Sequence, residues 1–212
     1  FDMTGVFLSD NKKMSPFDRN SIYGMYNRTE NYQSDCSYIS QIKAFKDNVS
    51  IKSCLSYTFS VSNSQGTSLI KDRPFTAEMT RSIMLLKEKP YRPRMADYRI
   101  GVFFTGREQL GEGAKTTVPV YYANRWDIQP SDTAAYLRGE KVKPTKQIVF
   151  YIDNTFPEKW KPYLREGVTQ WNELFEQIGF KDVVAAKDFP TDDPEFDPDN
   201  IKYSCVRYAP SS

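Results

Sequence analysis

The chain has 212 residues, which is enough for one large domain or two small ones with a sizeable hydrophobic core. Its 29 basic and 27 acidic residues give a net charge of +2, too balanced to predict binding to nucleic acid or to an anionic membrane. The chain has no histidine, so it contains neither a Ser–His or Cys–His catalytic pair nor an H-E-x-x-H zinc motif. No apolar run approaches the roughly 20 residues of a membrane-spanning helix.

Alternating side chains predict a β-rich first part of the chain. From Val49 to Val61, apolar residues and the small Ser53 fall on one face, and mostly polar residues fall on the other. With the segment 36–45 before it and a turn at 46–48, this pattern predicts a hairpin with one solvated face. Further strands are predicted at 6–8, 74–86, 98–106 and 116–128.

A domain boundary is predicted where this alternation ends. Residues 129–145 lose the periodicity and hold proline, glycine and charged residues, as segments between domains do. We therefore expect a β-rich accessory domain at 1–145 and a second domain at 146–212.

The second domain is predicted to combine strands with a helix. The apolar run 148–152 is typical of a strand that is covered on both faces. Thr155 and Glu158 fit a capping box, but Pro162 lacks an amide donor, so the main helix is expected to begin near Pro162. An apolar stripe continues to Gly179, a favourable helix C-terminus. The residues expected to pack there are Trp160, Leu164, Trp171 and Phe175, and two more strands are predicted at 183–186 and 201–208.

Two features of the chain raise the question of a metal or redox site. The loop 188–199 carries six carboxylates that could bind calcium, but it lacks the EF-hand spacing, so a solvated loop is the alternative. Cys36 and Cys54 could form a disulfide if their strands adjoin, although three cysteines do not make a disulfide framework. The alternative is that these two and Cys205 are small buried apolar residues.

No other pattern selects a functional residue. The basic run 87–94 lacks a recognised nucleic-acid-binding module, so we expect no nucleic-acid partner. Tyrosine and tryptophan side chains could form a face that stacks on sugars or peptides, with core packing as the alternative. Nothing singles out a catalytic carboxylate pair. The sequence therefore predicts no catalytic, cofactor-binding or metal-ligating residue within the chain.

The second half nevertheless resembles a known family. Residues from about 146 to 209 are similar to the start of the catalytic domain in met-zincin-like, zinc-dependent metallopeptidases found largely in Bacteroidetes and related bacteria. The resemblance is carried by IVFYIDNTFPEKWKPYLREGVTQWNELFEQIGFKD and VVAAKDFPTDDPEFDPDNIKYSCVRYA. The first 145 residues resemble the uncharacterised domain that precedes the peptidase, on FLSD, SYISQIKAF, RPRMADYRIGVFF and YYANRW.

The resemblance implies an α+β fold, with a β-rich antiparallel N-terminal domain followed by an incomplete zincin-like strand–helix–strand–strand unit. It implies a parent protein that hydrolyses protein or peptide substrates with zinc, secreted or in the cell envelope, with a signal peptide that this sequence does not include. In that family the zinc ligands and the general base lie on a later helix, so we expect no zinc and no catalytic residue in the 212 residues.

Two alternatives to this function remain open. The first is a non-catalytic module of a cell-envelope protein that binds glycans or peptides. The second is a propeptide-like or chaperoning role for residues 1–145, in which Cys36 or Cys54 would have to reach the zinc. We also expect the edge of the last strand to pair with another molecule, for instance in self-association, or to be covered by the β-rich domain.

Overall fold

The computed structural model of the chain describes residues 2–11, 15–17, 26–88, 92–111, 113 and 116–210. By their internal contacts, the residues form two compact units. The first unit is Phe1–Leu85 with Asp197–Lys202, and the second is Leu86–Phe196 with Tyr203–Ser212. The domain boundary predicted between residues 145 and 146 from the change in sequence pattern stays a prediction.

The first unit is built on a three-stranded antiparallel sheet. A short helix, α1 (Thr4–Phe7), precedes the strands β1 (Tyr26–Ala44), β2 (Asn48–Asn63) and β3 (Ser68–Met84), and β2 lies between the other two. The predicted hairpin and the β-rich antiparallel first part of the chain are confirmed.

The edge strand β1 begins at Tyr26, well before the alternation that predicted it. Pairing with β2 continues there because a bulge between Gln33 and Tyr38 absorbs the change of register. A bulge breaks the strict period of two, so the sequence pattern did not reveal this part of the strand.

Both faces of β2 are partly covered. Leu55 and Tyr57 are buried on the predicted apolar face, but Cys54 is also buried on the face predicted to be solvated. Cys54 lies between Tyr38 of β1 and Glu78 of β3 in the register of the sheet. The prediction of one solvated face is wrong at this point, because long side chains from two flanking strands cover a central strand.

The segment around Val6 is helical, so the strand predicted at 6–8 is wrong. Phe7 is only 4% exposed, and its carbonyl oxygen accepts a hydrogen bond from Arg81 Nη1 at 3.1 Å. The buried ring of Phe7 and this hydrogen bond to its carbonyl oxygen hold the helical turn on the sheet. A run of three apolar residues is too short to distinguish such a turn from a strand.

The second unit contains two sheets. Its first elements are an antiparallel hairpin of β4 (Phe104–Leu110) and β5 (Thr117–Ala123) and a helix, α2 (Thr133–Leu137). A parallel sheet in the order β7-β6-β8 follows, with two helices between β6 and β7. These elements are β6 (Ile148–Ile152), α3 (Lys161–Thr169), α4 (Asn172–Gln177), β7 (Val184–Asp188) and β8 (Ser204–Val206).

Several elements of the second unit differ from the predictions: the strands predicted at 116–128 and 201–208 are shorter, as β5 and β8. The strand predicted to begin at residue 98 begins at Phe104, because Asp97 accepts hydrogen bonds from the backbone and side chain of Arg99 and holds a turn. The helix α2 was not predicted within 129–145. Its N-cap is Asp132, which accepts a hydrogen bond from the amide of Ala135 at 2.9 Å.

The predicted long helix is divided into α3 and α4, and its capping box is wrong. The amide and the hydroxyl group of Thr155 both donate hydrogen bonds to Oδ1 of Asp153, and Thr155 is not the N-cap of a helix. The helix begins at Lys161, with Pro162 in its first turn as predicted, and α4 ends before Gly179, whose φ is +87°.

The core of the second unit lies between the helices and the parallel sheet. Val168 and Phe175 pack against its buried residues, but Trp160 and Trp171, predicted to pack there, are 44% and 59% exposed. Three short strands offer a narrow surface, so they cover only one side of the wide apolar stripe. The buried residues are Ala135, Val142, Ile148, Phe180, Val183 and Val184. Among the helices described, none has both the length and the apolar character to cross a membrane.

Candidate functional site

The carboxyl ends of the parallel strands form the candidate site of the second unit. Asp153 comes directly after β6, and Asp188 is the last residue of β7. Because β6, β7 and β8 run parallel, these ends meet at one edge of the sheet, where open parallel sheets usually bind ligands. Sequence reasoning did not select Asp153 and considered Asp188 only as one of six carboxylates in the acidic loop, although each lies just after a predicted strand and that position was the available signal.

Asp153 is an anchor for the turn that follows β6. Its Oδ1 accepts hydrogen bonds from the amide of Thr155 at 2.9 Å and from the hydroxyl of Thr155 at 2.8 Å. Its Oδ2 accepts one from the amide of Tyr208 at 3.4 Å. The backbone bond from Thr155 is the main cause that lowers the pKa of Asp153. A carboxylate held ionised in this way is a poor proton acceptor, so Asp153 positions the loop.

Asp188 joins the end of β7 to the helix α3. Nη2 of Arg165 donates to Oδ1 and Oδ2 of Asp188 at 2.7 and 2.6 Å. Both side chains are partly exposed, so the pair contributes at most about 1 kcal/mol to stability. Nδ2 of the Asn154 side chain donates to the carbonyl oxygen of Phe189 at 3.0 Å and adds a second link between the loops.

Aromatic rings surround this edge of the sheet. The ring of Tyr208 lies 5.1 Å from that of Phe156 and 6.1 Å from that of Trp160. A second group of rings at 4.8 to 5.4 Å consists of Tyr151, Phe189, Phe196 and Tyr203. The edge therefore offers apolar contact surface and the Asp188–Arg165 ion pair. Among the residues that the structure describes there, no hydrogen bond joins a nucleophile to a general base.

The residues that carry the family resemblance have structural roles in this unit. Asn172 donates from Nδ2 to the carbonyl oxygen of Val184 and accepts from its amide, both at 2.8 Å. Gly179 has a positive φ, and a Cβ there would lie 2.9 Å from the ring of Tyr136. Phe180 is buried in the core. These residues fix the helices and β7 to each other.

The acidic loop does not gather its carboxylates around a metal. Asp197 and Asp199 bind Lys43, whereas Asp192, Asp193 and Glu195 are exposed. Among the described residues, no three of Asp, Glu and Cys are close enough to hold a metal ion. The described residues therefore offer no set of side chains that fits a zinc centre either.

The cysteines do not form a disulfide. Cys36 is exposed, Cys54 is buried and Cys205 is half-buried, so the expectation of three buried cysteines is confirmed only for Cys54. The bulge that contains Cys36 turns it out of the sheet: residues on both sides of it leave the β1–β2 register. The Sγ atom of Cys54 is 3.9 Å from Oε1 of Glu78, a weak hydrogen bond.

Exposed aromatic side chains lie on and near the β4–β5 hairpin. Tyr98 is 98% exposed and Phe103 is 87% exposed. The rings of Phe104 and Tyr121 meet edge to face at 5.0 Å, next to Gly106. Of the basic run 87–94, residues 89–91 lie outside the described residues.

Comparison with protein-family models matches residues 1–131 to the family described as Domain of unknown function (DUF5117). No curated protein and no solved structure matches the chain. The matched residues include all three strands of the first unit and the β4–β5 hairpin, and they make up more than half of the chain. The chain therefore belongs to the DUF5117 family of domains of unknown function.

Proposed function

We propose that this chain is the N-terminal part of a zinc-dependent metallopeptidase, in which the DUF5117 domain precedes the first elements of the catalytic domain. The observation that carries the proposal is the order of motifs and elements after residue 146. The run IVFYI is β6, the pair Trp171-Asn172 stands at the start of α4, and Gly179 follows its end. The run DPDNIKY then leads to β8.

The roles of these motif residues support a scaffold rather than a reaction centre. Asn172 and Gly179 hold helices against strands, and Asp153 holds a turn. None of them is placed to transfer a proton or attack a substrate. This is the pattern expected of residues that support a site whose reacting groups lie elsewhere in the protein.

The remaining parts of the proposal concern the whole protein. Its zinc ligands and general base would belong to an H-E-x-x-H helix outside these 212 residues, its substrates would be proteins or peptides, and its location would be extracellular or in the cell envelope. In such a centre zinc activates water for hydrolysis. No step of that reaction is assigned to the chain described here.

The test compares the full-length gene product with residues 1–212. In the full-length protein we expect one equivalent of zinc and peptide hydrolysis that is lost on chelation and restored by added zinc. In residues 1–212 we expect neither. The matched control is the full-length protein with glutamine in place of the H-E-x-x-H glutamate, which should keep zinc and lose hydrolysis. A full-length protein without that motif, or with hydrolysis that survives complete zinc removal, would contradict the proposal.

A second function is favoured by the exposed aromatic residues near the β4–β5 hairpin. Tyr98, Phe103, Phe104 and Tyr121 could stack on the apolar faces of sugars or on peptide side chains. In that case the chain would be a non-catalytic binding module of a cell-envelope protein.

Glycan-array and peptide-library binding by the full chain tests this second function. Binding that is lost in Tyr98→Ser and Phe103→Ser, and kept in Leu137→Ser, would support it. Leu137 is a suitable control because it is an exposed apolar residue of the same unit outside the hairpin. No binding to either library would rule it out.

A further inference from the structure

A six-residue segment from the second half of the chain completes the first unit. This segment, Asp197–Lys202, has the sequence DPDNIK and is called the strap below. It lies well beyond residue 131, where the DUF5117 match ends. In the sequence the strap is an acidic run inside the segment that carries the peptidase resemblance, but neither proposed function gives its side chains a role.

The strap forms a compact turn through its own hydrogen bonds. The amide of Asp199 donates to Oδ1 of Asp197 at 2.8 Å, and the amide of Asn200 donates to the carbonyl oxygen of Asp197 at 3.0 Å. The amide of Lys202 donates to Oδ1 of Asn200 at 3.0 Å. Each of these bonds joins residues two or three positions apart, as in turns that Asp and Asn side chains stabilise locally.

Lys43 at the end of β1 binds both acidic side chains of the strap. Its Nζ lies 2.9 Å from Oδ2 of Asp197 and 2.7 Å from Oδ2 of Asp199. All three side chains are less than one third exposed, so solvent screens them less than ordinary surface pairs. The hydrogen bond to Asp199 is the main cause that raises the pKa of Lys43. Lys43 therefore stays protonated and positively charged between the two carboxylates.

Asn48, the first residue of β2, binds the backbone of the strap. Its side chain donates to the carbonyl oxygen of Asp199 at 3.0 Å and accepts from the amide of Ile201 at 3.2 Å. It also donates to Oγ of Ser82 on β3 at 2.9 Å. Asn48 is only 3% exposed, so loss of the strap would leave a buried amide group with fewer partners, which is costly.

We propose that the strap is an integral part of the DUF5117-family fold in this chain. Lys43, Asn48 and Ser82 form a receptor at one end of the sheet, and its ligand is an acidic turn with the sequence Asp-Pro-Asp-Asn-Ile. Lys43 binds the carboxylates of Asp197 and Asp199, and Asn48 binds the carbonyl oxygen of Asp199 and the amide of Ile201. The domain is complete only with this distant segment in place. The inference does not depend on the peptidase proposal.

The first test is hydrogen exchange on the full chain. In Asn48→Ala, the amides of Ile201 and of residues 45–50 should exchange at least about tenfold faster, because a buried hydrogen-bonded group is lost. Asp193→Asn, in the same acidic loop but outside the strap, should leave these rates unchanged. Faster exchange at 45–50 with a wild-type rate at Ile201 would overturn the proposal.

The second test is rescue in trans. In the full chain with Asp197→Ala and Asp199→Ala, loss of both Lys43 pairs should loosen the strap and speed exchange at 45–50, and an excess of a synthetic peptide of residues 196–203 should restore the wild-type rates. The same peptide with both aspartates replaced by alanine should not restore them. Equal rates with and without the unmodified peptide would show that the end of the sheet is no receptor for the strap.

Discussion

Replacing Asn172 by alanine should destabilise the second unit strongly. The side-chain amide of Asn172 pairs with the amide and carbonyl of Val184 at the start of β7, both at 2.8 Å. Because β7 is an edge strand and its other side pairs with β6, this side chain takes the place of a neighbouring strand.

The magnitude follows from what the substitution leaves behind. Each of the two hydrogen bonds contributes about 1 kcal/mol, and Val184 is only 6% exposed, so its orphaned amide and carbonyl add a desolvation penalty. We expect a loss of about 2 to 3 kcal/mol in the free energy of unfolding. Asn154→Ala is the matched control, because that exposed side chain makes one hydrogen bond, to Phe189, and should cost about 0.5 to 1 kcal/mol.

Urea unfolding followed by tryptophan fluorescence measures this loss. Trp126, Trp160 and Trp171 all lie in the second unit, so their emission reports its unfolding. If Asn172→Ala and Asn154→Ala cost the same, or if Asn172→Ala costs less than about 0.5 kcal/mol, the reasoning about the β7 edge is wrong.

Two further predictions concern single residues of the second unit. Gly179→Ala should destabilise it by about 1 to 2 kcal/mol in thermal unfolding, because its φ is +87° and the new Cβ would meet the ring of Tyr136. Gly167→Ala in α3, with nothing within 4 Å, should stabilise it by about 0.5 to 1 kcal/mol, so a common sign for both would contradict this account. The pKa of Asp153 is lowered below its ordinary value of 3.8, so its stabilising effect is present above that pH and is lost as the pH falls through the folded-state pKa. Asp153→Asn should therefore reduce the loss of unfolding free energy below about pH 4. An unchanged pH dependence there would show that the bonds from Thr155 to Asp153 do not cause this loss.

Local periodicity predicted the strands because it depends on the chain alone. The alternation from Val49 to Val61 is confirmed as β2, and the apolar run 148–152 is β6. Gly179 ends a helix where the sequence indicated, because a positive φ favours glycine in any context. In each case the deciding interactions lie within a few residues.

The capping box shows where local reasoning failed. Thr155 and Glu158 have the spacing of a cap, yet Thr155 is held by Asp153, which is in turn bound by the amide of Tyr208. A partner that far along the chain is invisible to a four-residue pattern. The same holds for Trp160 and Trp171, whose place in an apolar stripe did not decide which side the sheet would cover.

The sequence by itself determined the β-rich first half, the position of β6, the helical character of the segment after it, and the lack of histidine-based chemistry in these residues. Only the tertiary structure decided which charges and edges meet. Lys43 and Asp199, separated by 156 positions, form an ion pair, and Asn172 closes the edge of β7. The physical reason is that periodicity indicates which residues lie on the buried face of an element. The partner of a buried charge or amide depends instead on which distant segment the fold brings next to it.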